Sequence, residues 1–336
     1  MKARITSIAY HLPEKVLTNE ELSTEFPEWS VEKISAKTGI RRRHIAAADE
    51  FSSHLAIAAA ATLFKREHID PKSIDYLIVC TQSPDYYMPT TACMVQEGLG
   101  LRTDAGATDI TLGCSGYIYG LGLAKGLIES GQAHSVLLVT ADTYSKFINP
   151  RDKSVRTIFG DGAAATLIQG VDDDEGLVGF TYGTNGAGGK NLIVPNGGLR
   201  AGTDIAPKAS VDERDLVASG HDLYMDGPEI FTFTLDVVPG TVDEVLRKAG
   251  LTQNDVDLFV FHQANAFMLE HLRKKLDIPA DKFFVSLAES GNTVSSTIPI
   301  ALADAVESGV LKSGMRVLLL GFGVGLSWGG LVATWS

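Results

Sequence analysis

The chain has 336 residues, 45% hydrophobic and 21% charged, which is ordinary for a soluble globular protein and long enough for two packed units. A net charge of −12 argues against a nucleic-acid binder, because phosphate recognition needs a clustered positive surface. Three cysteines without paired short spacing exclude a disulfide framework or a zinc site, and no apolar run reaches the length of a signal peptide or membrane span, so a soluble protein of the reducing cytoplasm with no bound metal is expected.

In chain order, β-rich runs alternate with helical stretches, the pattern of a mostly parallel sheet covered by helices. Strands are predicted over 75–81, 108–111, 135–140 and 163–168, then over 257–261, 283–286, 316–320 and 331–334. The stretch from Val171 to about Ser219 separates the two clusters; acidic at its start and rich in glycine, it reads as loop or insertion. The chain divides accordingly into halves 1–172 and 173–336.

The halves repeat one another. Asp75-Tyr-Leu-Ile-Val matches Asp257-Leu-Phe-Val-Phe, and Glu129-Ser-Gly followed by Val136-Leu-Leu-Val matches Glu307-Ser-Gly followed by Val317-Leu-Leu-Leu, at offsets of 182, 178 and 181 residues. Nearly constant offsets are the mark of a duplication. The same shift carries Cys114 to within a residue or two of Asn292, and the end of the run at Cys80 and Thr81 to His262. Packed around a pseudo-two-fold, these strand ends would meet at the centre, where ligand sites lie in such sheets.

Cys114 stands in Gly-Cys-Ser-Gly, between an extended run and a small-residue helix. Unpaired N–H groups and the positive end of the helix dipole favour its thiolate, and a nucleophile is expected there. Cys80 and Cys93 read as buried small apolar side chains. His262 ends an apolar strand in His-Gln-Ala-Asn, where a neutral imidazole can donate a hydrogen bond. Asn292, in Ser-Gly-Asn-Thr, reads equally as a helix cap. Gly321-Phe-Gly-Val-Gly-Leu has Leu326 where a dinucleotide fingerprint needs its third glycine, and is better used as a tight turn presenting a backbone N–H to an oxyanion.

Together, Lys37-Thr-Gly-Ile-Arg-Arg-Arg-His-Ile-Ala, Gly113-Cys-Ser-Gly, Phe159-Gly-Asp-Gly-Ala, His262-Gln-Ala-Asn, Gly291-Asn-Thr and Gly321-Phe-Gly-Val-Gly-Leu-Ser-Trp-Gly resemble the thiolase-fold condensing enzymes, and within them β-ketoacyl-acyl-carrier-protein synthase III. The resemblance spans essentially the whole chain. It implies an α/β, thiolase-like, five-layered αβαβα fold from two pseudo-symmetric halves, a homodimer, and no cofactor beyond CoA or phosphopantetheine thioester substrates. It implies Cys114 as the acylated nucleophile, with backbone N–H groups of Cys114 and Val324 as the oxyanion hole. His262 and Asn292 would hold the thioester oxygen of malonyl-acyl carrier protein during decarboxylation.

Met88 matches the position that reaches across a dimer to the partner's acyl pocket, and Phe322, Asn265 and Lys37 are expected to bind substrate. Arg41, Arg42 and Arg43, with Arg273, Lys274 and Lys275, form the expected docking patch for acyl carrier protein. Four positions depart from the family pattern. Lys33 and Lys153 stand where a tryptophan and an arginine hold adenine, so that stacking pincer is expected to be missing; Phe267 replaces an arginine near the pantetheine mouth; and Val324 replaces a glycine. The alternatives are an acyltransferase of the same fold acting on an alcohol or amine, and a non-catalytic acyl-binding protein.

Overall fold

The computed structural model describes residues 1–172, 176–201 and 220–336. Its first half carries strands β1 (Lys2–His11), β2 (Lys15–Thr18), β3 (Arg42–Ile45), β4 (Tyr76–Cys80), β5 (Gly106–Ile110), β6 (Ser135–Asp142) and β7 (Gly162–Val171). The helices there are α1 (Asn19–Glu25), α2 (Val31–Thr38), α3 (Ser52–Glu67), α4 (Thr91–Gly98), α5 (Gly116–Glu129) and α6 (Lys153–Arg156). Next come β8 (Leu177–Thr184), β9 (Leu192–Ile193), β10 (Tyr224–Met225), β11 (Leu258–Phe261), β12 (Arg316–Gly323) and β13 (Ser327–Thr334). Between and around them lie α7 (Gly227–Ala249), α8 (Ala266–Lys275) and α9 (Thr297–Glu307).

The duplication is visible in the strand order. One sheet runs β1-β7-β6-β4-β5 and the other β8-β13-β12-β11. In both, the first three strands pair antiparallel and the next pairing is parallel. The counterpart of β5 is one parallel bridge, Phe259 to Phe283. The strand expected over 283–286 is therefore not formed. The Gln263 side chain takes its place, accepting from Ser286 N–H at 2.8 Å and donating to the Phe284 carbonyl at 3.5 Å.

Two further expectations change. The segment read as loop from Val171 onward holds β8, which pairs with β13, and β9; its residues 173–175 and 202–219 lie outside the described residues. Cys93 is exposed, its sulfur 3.1 Å from Thr90 Oγ1, rather than buried like Cys80.

Three apolar clusters define five layers. Helices α3 and α4 cover one face of the first sheet, with Leu55, Leu63, Val95 and Leu137 in the seam. Helices α7 and α8 cover one face of the second, around Val242, Leu269, Phe261 and Leu320. Between the sheets lie α5 and α9, with Ile118, Leu121, Ile298 and Leu302 packed against Leu138, Val260 and Leu319. Strand β6 is buried along its whole length, as a strand covered by helices on both faces must be. The expected αβαβα architecture holds. Each middle helix starts just after one of the equivalent turns, at Cys114 and at Asn292.

Candidate active site

Cys114, His262 and Asn292 line one cavity of about 120 Å³, with Phe322, Asn265 and Gly323. The rest of its wall is mainly apolar, from Ile158, Phe159, Leu192, Met225, Ile230 and Met268. The long-range convergence expected from the duplication is thus present.

Cys114 occupies the turn before α5, closed by Gly116 N–H donating to the Gly113 carbonyl at 2.7 Å. The β12–β13 hairpin comes against this turn. A Cβ on Gly323 would lie 2.9 Å from Cys114 Sγ, and one on Gly116 would lie 2.3 Å from Cys80 Sγ, so both contacts require glycine. Ser115 Oγ and Ser327 Oγ are 2.6 Å apart, and Ser327 donates onward to the Val324 carbonyl at 3.0 Å. These buried hydroxyls tie the Cys114 turn to the hairpin tip. The backbone N–H groups of Cys114 and Val324 both act on the sulfur and lower its pKa.

They do not prevail. Burial, reinforced by the Asp142 carboxylate, pushes the Cys114 thiol up to about 12. The expected thiolate is therefore corrected to a thiol: enclosure by apolar side chains outweighs the helix start and the two N–H groups. Asp142 is itself held up at about 7 by burial, against bonds from the Gln82 and Ser295 N–H groups and the Ser295 hydroxyl.

His262 directly follows β11, its N–H bonded to the Leu320 carbonyl at 2.8 Å. Its ring meets Phe322 edge to face, with centroids 5.5 Å apart. Nδ1 lies 2.7 Å from Thr297 Oγ1, so Nε2 is the nitrogen left for the cavity. Burial lowers its pKa to about 3, and the imidazole is neutral as expected. Asn292 follows Gly291, whose φ of +71° permits the turn. Asn292 Oδ1 accepts from Val294 N–H at 2.9 Å, which assigns Nδ2 to the side of the Ala264 carbonyl, 3.4 Å away, and the cavity. The side chain both caps the turn and presents a donor.

The other expected residues divide. Asn265 lines the cavity and caps α8 through Met268 N–H at 2.8 Å. Met88 is 82% exposed and Lys37 is exposed; neither lines the cavity. Arg43 is removed from the docking patch: it is fully buried, donating to Asn19 Oδ1 at 2.7 Å and to the Thr157 carbonyl at 2.6 Å. Arg41 and Arg42 both pair with Glu289, and Arg273 and Lys274 with Glu270, while Lys275 Nζ donates to the Leu235 carbonyl.

Sequence reasoning missed Trp29. Lys33, Lys37 and Lys153 stand 5.3, 4.8 and 5.9 Å from its ring centroid, so an indole does sit beside the two lysines where the pincer was expected to be missing. The i, i+4, i+8 spacing of Trp29, Lys33 and Lys37 was the available signal. Thr297 was also missed, and no motif marks it. Phe267 is exposed and stacks between Phe231 and His271, at 5.8 and 4.3 Å.

Known proteins resemble the chain over its whole length. Residues 108–186 match the family model described as 3-oxoacyl-[acyl-carrier-protein (ACP)] synthase III, and residues 246–335 match its C-terminal counterpart. A beta-ketoacyl-[acyl-carrier-protein] synthase III from Caldanaerobacter subterraneus subsp. tengcongensis is 38% identical over 99% of this chain and 98% of its own. One from Roseiflexus castenholzii is 40% identical over the same shares. A crystal structure of a 3-oxoacyl-(acyl-carrier-protein) synthase III superposes with a TM-score of 0.95 at 49% identity, covering all of both chains. Whole-length likeness at this level means that the chain belongs to the 3-oxoacyl-[acyl-carrier-protein] synthase III family.

Proposed function

We propose that this chain catalyses the decarboxylative condensation of an acyl thioester with malonyl-acyl carrier protein, through an acyl-cysteine at Cys114. The observation that carries the assignment of roles is the meeting of Cys114, His262 and Asn292 in one apolar cavity. The neutral imidazole of His262 stands in the same cavity as the Cys114 thiol. The N–H groups of Cys114 and Val324 stabilise the oxyanion as the donor's carbon–sulfur bond breaks.

In the second half-reaction His262 Nε2–H and Asn292 Nδ2–H donate to the malonyl thioester oxygen. Carbon dioxide leaves, and the electron pair left on the α-carbon attacks the acyl-cysteine carbonyl, expelling the Cys114 sulfur. Each preorganised donor is worth about 3 kcal/mol of barrier in a dry site. Such chemistry calls for no metal or redox cofactor. Transfer of the acyl group to an alcohol or amine would leave the Asn292 Nδ2 donor without a task.

A short acyl chain suits the cavity, and Trp29 with its three lysines suits a donor carrying an adenine nucleotide, that is, a CoA thioester. The carrier docks near Arg273, Lys274, Lys275, Arg41 and Arg42, its acidic side chains competing with Glu270 and Glu289. The working form is a homodimer, in which the exposed Met88 can reach the partner. No helix among the described residues is long and apolar enough to cross a membrane, and three free thiols suit the cytoplasm.

Intact mass after incubation with short and medium acyl-CoA should show an adduct that Cys114→Ala abolishes. Carbon dioxide should then be released from malonyl carrier protein. No release across the whole donor panel rejects the reading.

A further inference from the structure

Backbone and side chain of Asn292 are held separately. The backbone bridges to the first half, donating to the Ile158 carbonyl at 2.9 Å and accepting from Gly160 N–H at 3.0 Å. The carboxamide takes its orientation from Val294 N–H, which holds Oδ1 at 2.9 Å and so turns Nδ2 to the cavity. Val294 is fully buried at a φ of +56°, the left-handed region that a β-branched side chain strongly disfavours. A residue stays there only where its surroundings hold it.

The principal holder is a carboxylate. Asp142, at the end of β6, accepts from the next N–H of the turn, that of Ser295, at 3.2 Å, and from the Ser295 hydroxyl. Its other oxygen accepts from Gln82 N–H at 2.8 Å. The Thr297 hydroxyl assists, donating to the Val294 carbonyl at 3.1 Å. Asp142 is fully buried, and the groups acting on it include no cation. Burying an unpaired carboxylate costs free energy, and this one also opposes ionisation of Cys114. So unfavourable a group, bonded to a strained turn beside Asn292, marks a functional constraint.

We propose that Asp142 is a positioning residue: by holding the Val294–Ser295 turn in its strained form, its carboxylate aims the Asn292 Nδ2 donor at the malonyl thioester oxygen. This rests on the role given above to Asn292 in decarboxylation.

Asp142→Asn offers one acceptor oxygen in place of two. That oxygen stays with Gln82 N–H, the shorter bond, because the Ser295 hydroxyl can reverse and accept from the new amide whereas Gln82 N–H cannot. Ser295 N–H then loses its acceptor and the turn relaxes. At pH 8.5, above the value of about 7 at which Asp142 ionises, carbon dioxide release from malonyl carrier protein by enzyme acylated beforehand should fall about 30-fold, within what a misplacement of up to about 1 Å costs. Acylation of Cys114, followed by intact mass, should stay within about threefold. In an Asn292→Ala background, Asp142→Asn should change carbon dioxide release by less than about threefold, since no donor is left to misplace. Release within threefold of wild type, an equal fall in both steps, or the same loss persisting over Asn292→Ala overturns the proposal.

Should Asp142→Asn not fold, Ser295→Ala, which removes only the hydroxyl bond, decides. Release should fall about fivefold with acylation intact and no further loss over Asn292→Ala, and release equal to wild type overturns the proposal. A wild type that forms no Cys114 adduct, or releases no carbon dioxide, would instead refute the function on which the proposal rests.

Discussion

Replacing Gly323 with alanine perturbs the nucleophile through a single methyl group. The added Cβ would lie 2.8 Å from Cys114 Cβ and 2.9 Å from Sγ, where ordinary contacts begin at 3.4 Å. Neither atom is the end of a flexible chain, so the hairpin and the nucleophile turn must separate by about 0.5–1 Å. A displacement of that size at the reacting atom costs about 100-fold in rate, or about 2.7 kcal/mol of barrier. Overpacking should cost a further 1–3 kcal/mol of stability, roughly. The assay is pre-steady-state acylation by intact mass, beside a urea melt. Gly126→Ala is the control: exposed on α5 with open space around it, it should keep full activity and gain about 0.5–1 kcal/mol. Acylation by Gly323→Ala within threefold of wild type would show that sulfur placement does not depend on the hairpin.

Alkylation of Cys114 by iodoacetamide should rise about tenfold per pH unit without a plateau below pH 10, since burial holds the thiol at about 12; a plateau near pH 7 would restore the thiolate. Arg43→Ala should lose about 3 kcal/mol or more, because it leaves a cavity and orphans Asn19 Oδ1 and the Thr157 carbonyl. Denaturant melts check this, and a near-neutral result would contradict its structural role. Asp142 binds its proton more tightly folded (about 7) than unfolded (3.8), so its contribution to stability is full below pH 4 and declines as pH rises to 7. Three units at about 1.36 kcal/mol each bound that decline at about 4 kcal/mol. Urea melts at pH 5 and 7.5 on wild type and Asp142→Asn should show the slope only in the former.

The layers and the three converging residues were legible because duplicated segments keep constant offsets and buried parallel strands are continuous apolar runs. What escaped notice broke those signals. Strand β1 shifts register between Ile5 and Ser7, which interrupts its alternation, and β8 contains Gly179 at φ +71° and Gly183. Arg43 looks like its two arginine neighbours until its place in β3 buries it against the Thr157 carbonyl. The state of Cys114 depended on side chains as distant as Leu192 and Asp142, whose approach no local motif records.

The two active turns open neighbouring helices of one central layer, related by an internal rotation of the chain. Sulfur and carboxamide therefore ride on matched mounts, and a small slide of that layer carries both together. Selection was left free to diverge the chemistry at each mount, one toward attack and one toward stabilisation, without having to rediscover their alignment.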